Sequence, residues 1–211
     1  MSRIVMVRHG ESVWHAENRY AGSSDIELSD RGRDHARALA SWAASAGLQR
    51  IYVSDLRRAQ ATAQAVEAAV GLKASVDPRL RELHFGDGEG LTSSEMRQRF
   101  PNEYTAFCSD PVENHLPAGE NPATAIARGR AALQDIACEA GPEARVLVIA
   151  HSTLIRLLLC DLLGIAPSRY RQVFPELGNV SINELVLTEG SAALLHFNVP
   201  VADDRRANLV R

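Results

Sequence analysis

The chain has 211 residues, enough for one domain or for one domain with a small insertion, and 45% of them are hydrophobic, as in a globular protein with a sizeable core. A net charge of −3 offers no broad basic surface to nucleic acid or an anionic membrane, and there is neither a bilayer-length apolar run nor a charged-then-apolar leader. Cys108, Cys138 and Cys160 are widely spaced without a CxxC pair, which is the pattern of reduced thiols in a cytoplasmic protein.

Ile4 to Val7 is short and continuously apolar, and reads as a buried strand. Ser29 and Asp30 offer caps for a helix from about Arg31 to Ala46, with Ala36, Leu39, Trp42 and Ala43 on one stripe and Gly47 just past its end. Ile51 to Val53 is a second strand, after which Ser54 or Asp55 caps a helix running through LRRAQATAQAVEAAV to Gly71. Ala74 to Val76 is a third. The stretch from about 79 to 122 has prolines at 101, 111, 117 and 122 and short helical pieces such as SSEMRQRF, so it reads as an insertion of loops and small helices. A helix from about Ala123 to Glu139 precedes the most hydrophobic strand, Arg145 to Ala150, and STLIRLLLCDLLG is a helix closed by Gly164. Ser181 to Leu187 and Ala192 to Phe197 make an edge hairpin. The domain then spans 1–199, and 200–211 is a polar, mobile tail. This alternation predicts a three-layer α/β/α sandwich with a mainly parallel central sheet and an edge antiparallel strand.

In such sheets ligands bind at the carboxyl ends of the strands, beside helix N-termini. The first strand ends in VMVRHGES, presenting Arg8, His9 and Gly10. After the second come Ser54, Asp55, Arg57 and Arg58; after the third, LRELHFG with Arg81, Glu82 and His84; after the strongest strand, His151 at the start of a helix that Ser152 or Thr153 could cap. Because Lys73 is the only lysine, arginine is simply this chain's basic residue, and position has to carry the case for any one of them. The chemistry open to this set is narrow. Guanidinium forks match phosphate oxygens, and a helix N-terminus adds backbone donors. A neutral imidazole can attack phosphorus and hold it as a phosphohistidine, provided its other nitrogen is held by an acceptor such as a carbonyl near Gly10. Glu82 is the candidate donor of a proton to the leaving oxygen. Cations already surround the phosphate, so neither a metal nor a cofactor is needed, and no tight His/Asp ligand cluster is present in the sequence.

RHGES at 8–12, SDLRRAQATA at 54–63, LRELHFGDGEG at 80–90 and VLVIAHSTLIRLLL at 146–159 together resemble the histidine phosphatase superfamily, the phosphoglycerate-mutase-like group, in its small bacterial phosphatase branch. GSSDIELSDRG resembles the family's segment before its first long helix, so the likeness covers nearly all of the chain to about residue 190. It implies that His9 is the nucleophile, that Arg8, Arg58 and His151 hold the phosphoryl group, and that Glu82 is acid and then base. Three positions depart from the family pattern. His15 stands where asparagine is usual, Ala21 where a polar residue often precedes Gly22, and AHST replaces the usual HGG or HGN, putting Ser152 and Thr153 at the helix start. His15, Gly22 and Ser152 are accordingly expected substrate contacts. His84 is a candidate for the pocket rim and Arg57 is divided evenly between pocket and surface, whereas His35, His115 and His196 have no expected role.

The expected activity is hydrolysis of a small phosphorylated metabolite. A phosphoglycerate mutase is the alternative, disfavoured because GLTSSEMRQRFP passes quickly into YTAF without the long insertion that mutases of the family carry. A phosphate-binding protein with a dead site is a third reading, opposed by the complete set of five residues. Oligomeric state is open, with a homodimer one option.

Overall fold

Alternate residues of the first strand face opposite ways, and both ways lead into apolar material. In the computed structural model, which describes residues 1–188 and 191–201, β1 (Ser2–Arg8) turns Ile4 and Met6 to one side and Val5 and Val7 to the other, all fully buried. β4 (Arg145–Ala150) does the same with Val146 and Val148 against Leu147 and Ile149. A strand apolar on both faces must be covered on both faces, and that requirement produces three layers. On one side lie α2 (Asp30–Ala43) and α3 (Arg57–Val70), and on the other α6 (Pro122–Ala140) and α7 (Ser152–Leu162).

The sheet also contains β2 (Arg50–Val53), β3 (Ala74–Val76), β5 (Ile182–Thr188) and β6 (Ser191–Val199), in the order β3-β2-β4-β1-β5-β6. β3, β2, β4 and β1 are parallel neighbours, and β5 pairs antiparallel with both β1 and β6. The expected sandwich and hairpin are therefore present. The strand running against the others is β5, one position in from the edge.

Between β1 and α2 lies a short helix, α1 (Val13–Ala16), that the sequence reading does not contain. The 79–122 stretch forms α4 (Ser93–Arg99) and α5 (Pro101–Ser109), which enclose a small core of Met96, Phe100, Tyr104, Phe107 and Leu116. α8 (Tyr170–Val173) follows α7. Ser29 caps α2 as expected, its Oγ accepting from Gly32 N at 3.1 Å, but α2 ends three residues early, at Ala43. The caps expected of Ser54 and Asp55 do not form. α3 starts from Leu56 without a side-chain cap of its own, and Asp25 Oδ1 accepts from Arg57 N at 2.7 Å instead. α7 likewise has no cap from Ser152 or Thr153, since its N-cap residue is His151. Beyond Val201, the tail assigned to 200–211 lies outside the described residues.

Candidate active site

β2, β4 and β1 are adjacent, so the residues that follow their carboxyl ends meet at one edge of the sheet. His9 continues the β1–β4 ladder, with its N–H donating to Ala150 O at 3.1 Å, and Asn179 Nδ2 donates to the His9 carbonyl at 2.7 Å. Val180 N donates to Arg8 O at 2.8 Å from a backbone with φ +53°, a left-handed conformation uncommon for a β-branched residue. Gly10 N donates to Thr62 Oγ1 at 3.1 Å, tying the same turn to α3.

The His9 ring is buried. Its Nδ1 is 2.5 Å from Gly10 O. A carbonyl can only accept, so Nδ1 carries the hydrogen and Nε2 presents its lone pair. Arg58 Nε donates to that Nε2 at 3.1 Å. Burial, with the Arg58 and Arg8 charges, pushes the His9 pKa well below the ordinary imidazole value, so the ring is neutral.

Arg58 is 1% exposed and is held by two carbonyls, Ser24 O at 2.7 Å and Gly22 O at 2.5 Å. Arg8 donates to Leu177 O at 3.0 Å and faces the His15 ring, with Nη2 3.3 Å from Nδ1. Burial lowers both arginine pKa values to about 10, which leaves them cationic at neutral pH. His15 is pushed down to about 4 by burial and by Arg8.

His151 is fully buried, its ring centroid 5.0 Å from that of His9 and its Nε2 2.8 Å from Ser54 Oγ. The serine expected to cap α3 thus serves His151. Asp55, the other expected cap, accepts twice from Arg81, at 3.0 and 2.6 Å. The Glu82 carboxylate fills the capless end of α7, Oε2 accepting from Thr153 N at 2.9 Å and Oε1 from Leu154 N and Leu83 N at 3.0 Å each. Two of the helix-end donors assigned to phosphate are therefore engaged by Glu82. Two buried side-chain nitrogens have no hydrogen-bond partner among the described residues, Arg8 Nε and His151 Nδ1.

A cleft of about 370 Å³ opens over this group and is lined by Arg8, His9, Arg58 and Glu82. His15, Gly22 and Ser152 also line it, as does Ala21. Gly22 acts through its carbonyl, on Arg58. His151 is not among the lining residues, and its ring lies beside that of His9. Arg57 is outside, exposed and paired with Asp25 and Glu27, and His84 is exposed with Nδ1 accepting from Gly86 N at 2.9 Å. The sequence reading missed Arg156, Tyr170 and Arg171, all of which line the cleft. Arg156 carried a usable signal, being the one charged residue inside the apolar run TLIRLLLC, whereas Arg171 carried none. Among the described residues no three His, Cys, Asp or Glu side chains group as a metal site would require, and no helix is long and apolar enough to cross a membrane.

A buried neutral histidine ringed by arginines at the carboxyl edge of a mainly parallel sheet defines a phosphoryl-handling α/β protein. The family model for the histidine phosphatase superfamily (branch 1) matches residues 4–200, and the chain belongs to that superfamily. It is 38% identical to phosphoglycerate mutase-like protein 4 of Arabidopsis thaliana over 74% of this chain and 69% of that one. Phosphoserine phosphatase 1 of Hydrogenobacter thermophilus is 27% identical, with 94% and 93% covered. The native structure of a mycobacterial glucosyl-3-phosphoglycerate phosphatase superposes with a TM-score of 0.84 at 30% identity, covering 93% of this chain and 98% of that one.

Proposed function

We propose that this chain is a metal-independent phosphomonoesterase of the histidine acid phosphatase type that hydrolyses a small phosphorylated metabolite through a phosphohistidine on His9. The observation that carries the reading is the state of His9, neutral, with Nδ1–H on the Gly10 carbonyl and the Nε2 lone pair directed at a guanidinium. Nε2 attacks phosphorus and forms the P–N bond as the ester P–O bond breaks. The departing oxygen takes a proton from the Glu82 carboxyl. Water then attacks the phosphohistidine and gives its proton to the Glu82 carboxylate, and the P–N bond breaks to release phosphate.

The two orphaned nitrogens support this assignment. Arg8 Nε–H is always a donor. Ser54 Oγ, accepting from Leu56 N, has its own hydrogen for His151 Nε2, which leaves the hydrogen of that ring on Nδ1. Each then meets a phosphoryl oxygen, with the cations supplying the charge stabilisation. Phosphoglycerate mutase is the second reading, favoured by the mutase-like relative and opposed by a middle segment whose α-helices are the short α4 and α5.

Rapid quench with a labelled phosphomonoester tests the proposal. The expected result is an acid-labile, base-stable adduct on His9, release of inorganic phosphate that survives EDTA, and neither adduct nor turnover in folded His9→Ala. An adduct elsewhere overturns the assignment. Efficient isomerisation of 3-phosphoglycerate with a bisphosphoglycerate primer, in place of phosphate release, makes the chain a mutase.

A further inference from the structure

Buried charge is usually neutralised, which makes the exceptions informative. Outside the cleft, the described arginines that are partly buried, namely Arg79, Arg81, Arg128 and Arg145, each have a carboxylate within 4.0 Å. Within the cleft lining Arg19 is paired with Glu95, but Arg8, Arg58, Arg156 and Arg171 have no such partner among the described residues. Arg8 and Arg58 serve the reacting phosphoryl group. Arg156 and Arg171 remain.

Both are fixed by groups that do not cancel their charge. Arg156 donates to Ser152 O at 3.3 Å and Phe174 O at 3.2 Å, and its guanidinium lies 4.9 Å from the Tyr170 ring centroid. Arg171 donates to Tyr170 Oη at 3.0 Å and Phe107 O at 3.3 Å, with its guanidinium over the Phe107 ring at 4.5 Å. In neither is Nη2 used by any described residue. Burial first, and then the Arg171 charge among its neighbours, holds Arg156 below the ordinary guanidinium value, and Arg156 acts on Arg8 in the same sense. Holding such forks rigid and unneutralised costs stability unless an anion joins them during function.

We infer that Arg156 and Arg171, with Tyr170 between them, form a second anion subsite, so that the substrate is a phosphomonoester carrying a further carboxylate or phosphate. This rests on the phosphatase reading for the first phosphate. The planar fork suits either anion. Neutral sugar phosphates would leave the second site empty.

The test uses phosphate esters with two- to four-carbon spacers ending in a hydroxyl, a carboxylate or a second phosphate. Binding to His9→Ala is measured by calorimetry and turnover by the wild type. The doubly anionic esters should bind about 10- to 100-fold tighter than the hydroxyl ester, the scale of one or two charge-assisted hydrogen bonds. The better of the two terminal groups identifies the anion. Arg171→Gln should erase that preference while shifting the hydroxyl ester less than about threefold, and Arg171→Lys should restore part of it. Equal binding of all three classes overturns the subsite, as does an equal loss for all three in a folded Arg171→Gln. If the wild type releases no phosphate from any ester, the phosphatase reading fails while the binding series still decides the subsite.

Discussion

His9 and Glu82 are each defined by what holds them. The lone pair of His9 already has a donor in Arg58 Nε, so in the proposed reaction a phosphoryl group has to take over that hydrogen bond as it arrives. Arg58 stays in place because two carbonyls grip its other nitrogens. Glu82 accepts three backbone N–H bonds across both oxygens. A glutamine there has one oxygen, so its nitrogen must face Thr153 N–H or the Leu83 and Leu154 pair. Glu82→Gln should therefore cost about 1–3 kcal/mol, read from urea unfolding. Its kinetic effect is separated by comparing two esters in the same protein. The phosphorylation burst should slow by about 10²–10⁴-fold for an alkyl phosphate, whose alkoxide needs the proton, and far less for nitrophenyl phosphate. Equal slowing would make Glu82 a positioning residue. RHG and the acid in LREL were legible because their motifs are contiguous. The three-amide cradle was not, because it joins residues seventy positions apart.

Signals local to one element are legible in the sequence, and hydrogen bonds between elements are not. Ser29 caps α2 and Gly71 closes α3 with φ +72°, both as the sequence indicated. Ser54 and Asp55 were drawn away by His151 and Arg81, distant partners that no helix pattern reveals. The docking of α2 against the turn that carries His9 was also invisible in the sequence. A Cβ at Gly32 would run into the Glu11 carbonyl, and one at Gly10 into the Gly32 carbonyl. Gly32→Ala should accordingly destabilise by about 1–3 kcal/mol, the range for overpacking, and lower kcat/KM because the displaced segment follows His9 directly. Gly71→Ala is the control, since nothing lies within 4 Å of a Cβ there. It should cost about 1 kcal/mol for the left-handed backbone and leave kcat/KM unchanged. Denaturant midpoints and steady-state assays on both variants decide the matter, and unaltered activity in Gly32→Ala would detach α2 from the site.

For the molecule as a whole, the same burial that keeps His9 and His151 neutral ties stability to pH. The sheet order was legible only as a class, because strand pairing depends on contacts across the whole chain, yet it is this order that brings His9 and His151 together in the interior. Both are held neutral, their pKa values pushed well below 6.5 chiefly by burial and then by Arg58. In the unfolded chain the same rings take up protons near pH 6.5. Below that pH the unfolded state binds more protons than the folded one, so stability falls as pH falls. The loss begins at about 6.5 and continues until the folded-state values are reached. Each ring contributes up to about 1.4 kcal/mol per pH unit in that window. His15, depressed to about 4, acts in the same direction between 6.5 and 4. Urea midpoints should therefore be level above pH 7 and drop steadily from 6.5 to 5.0, a range that stays above the ordinary carboxylate values. A midpoint that did not move between pH 7.5 and 5.0 would mean that these imidazoles accept protons inside the fold, and His9 could not then present a free lone pair to phosphorus.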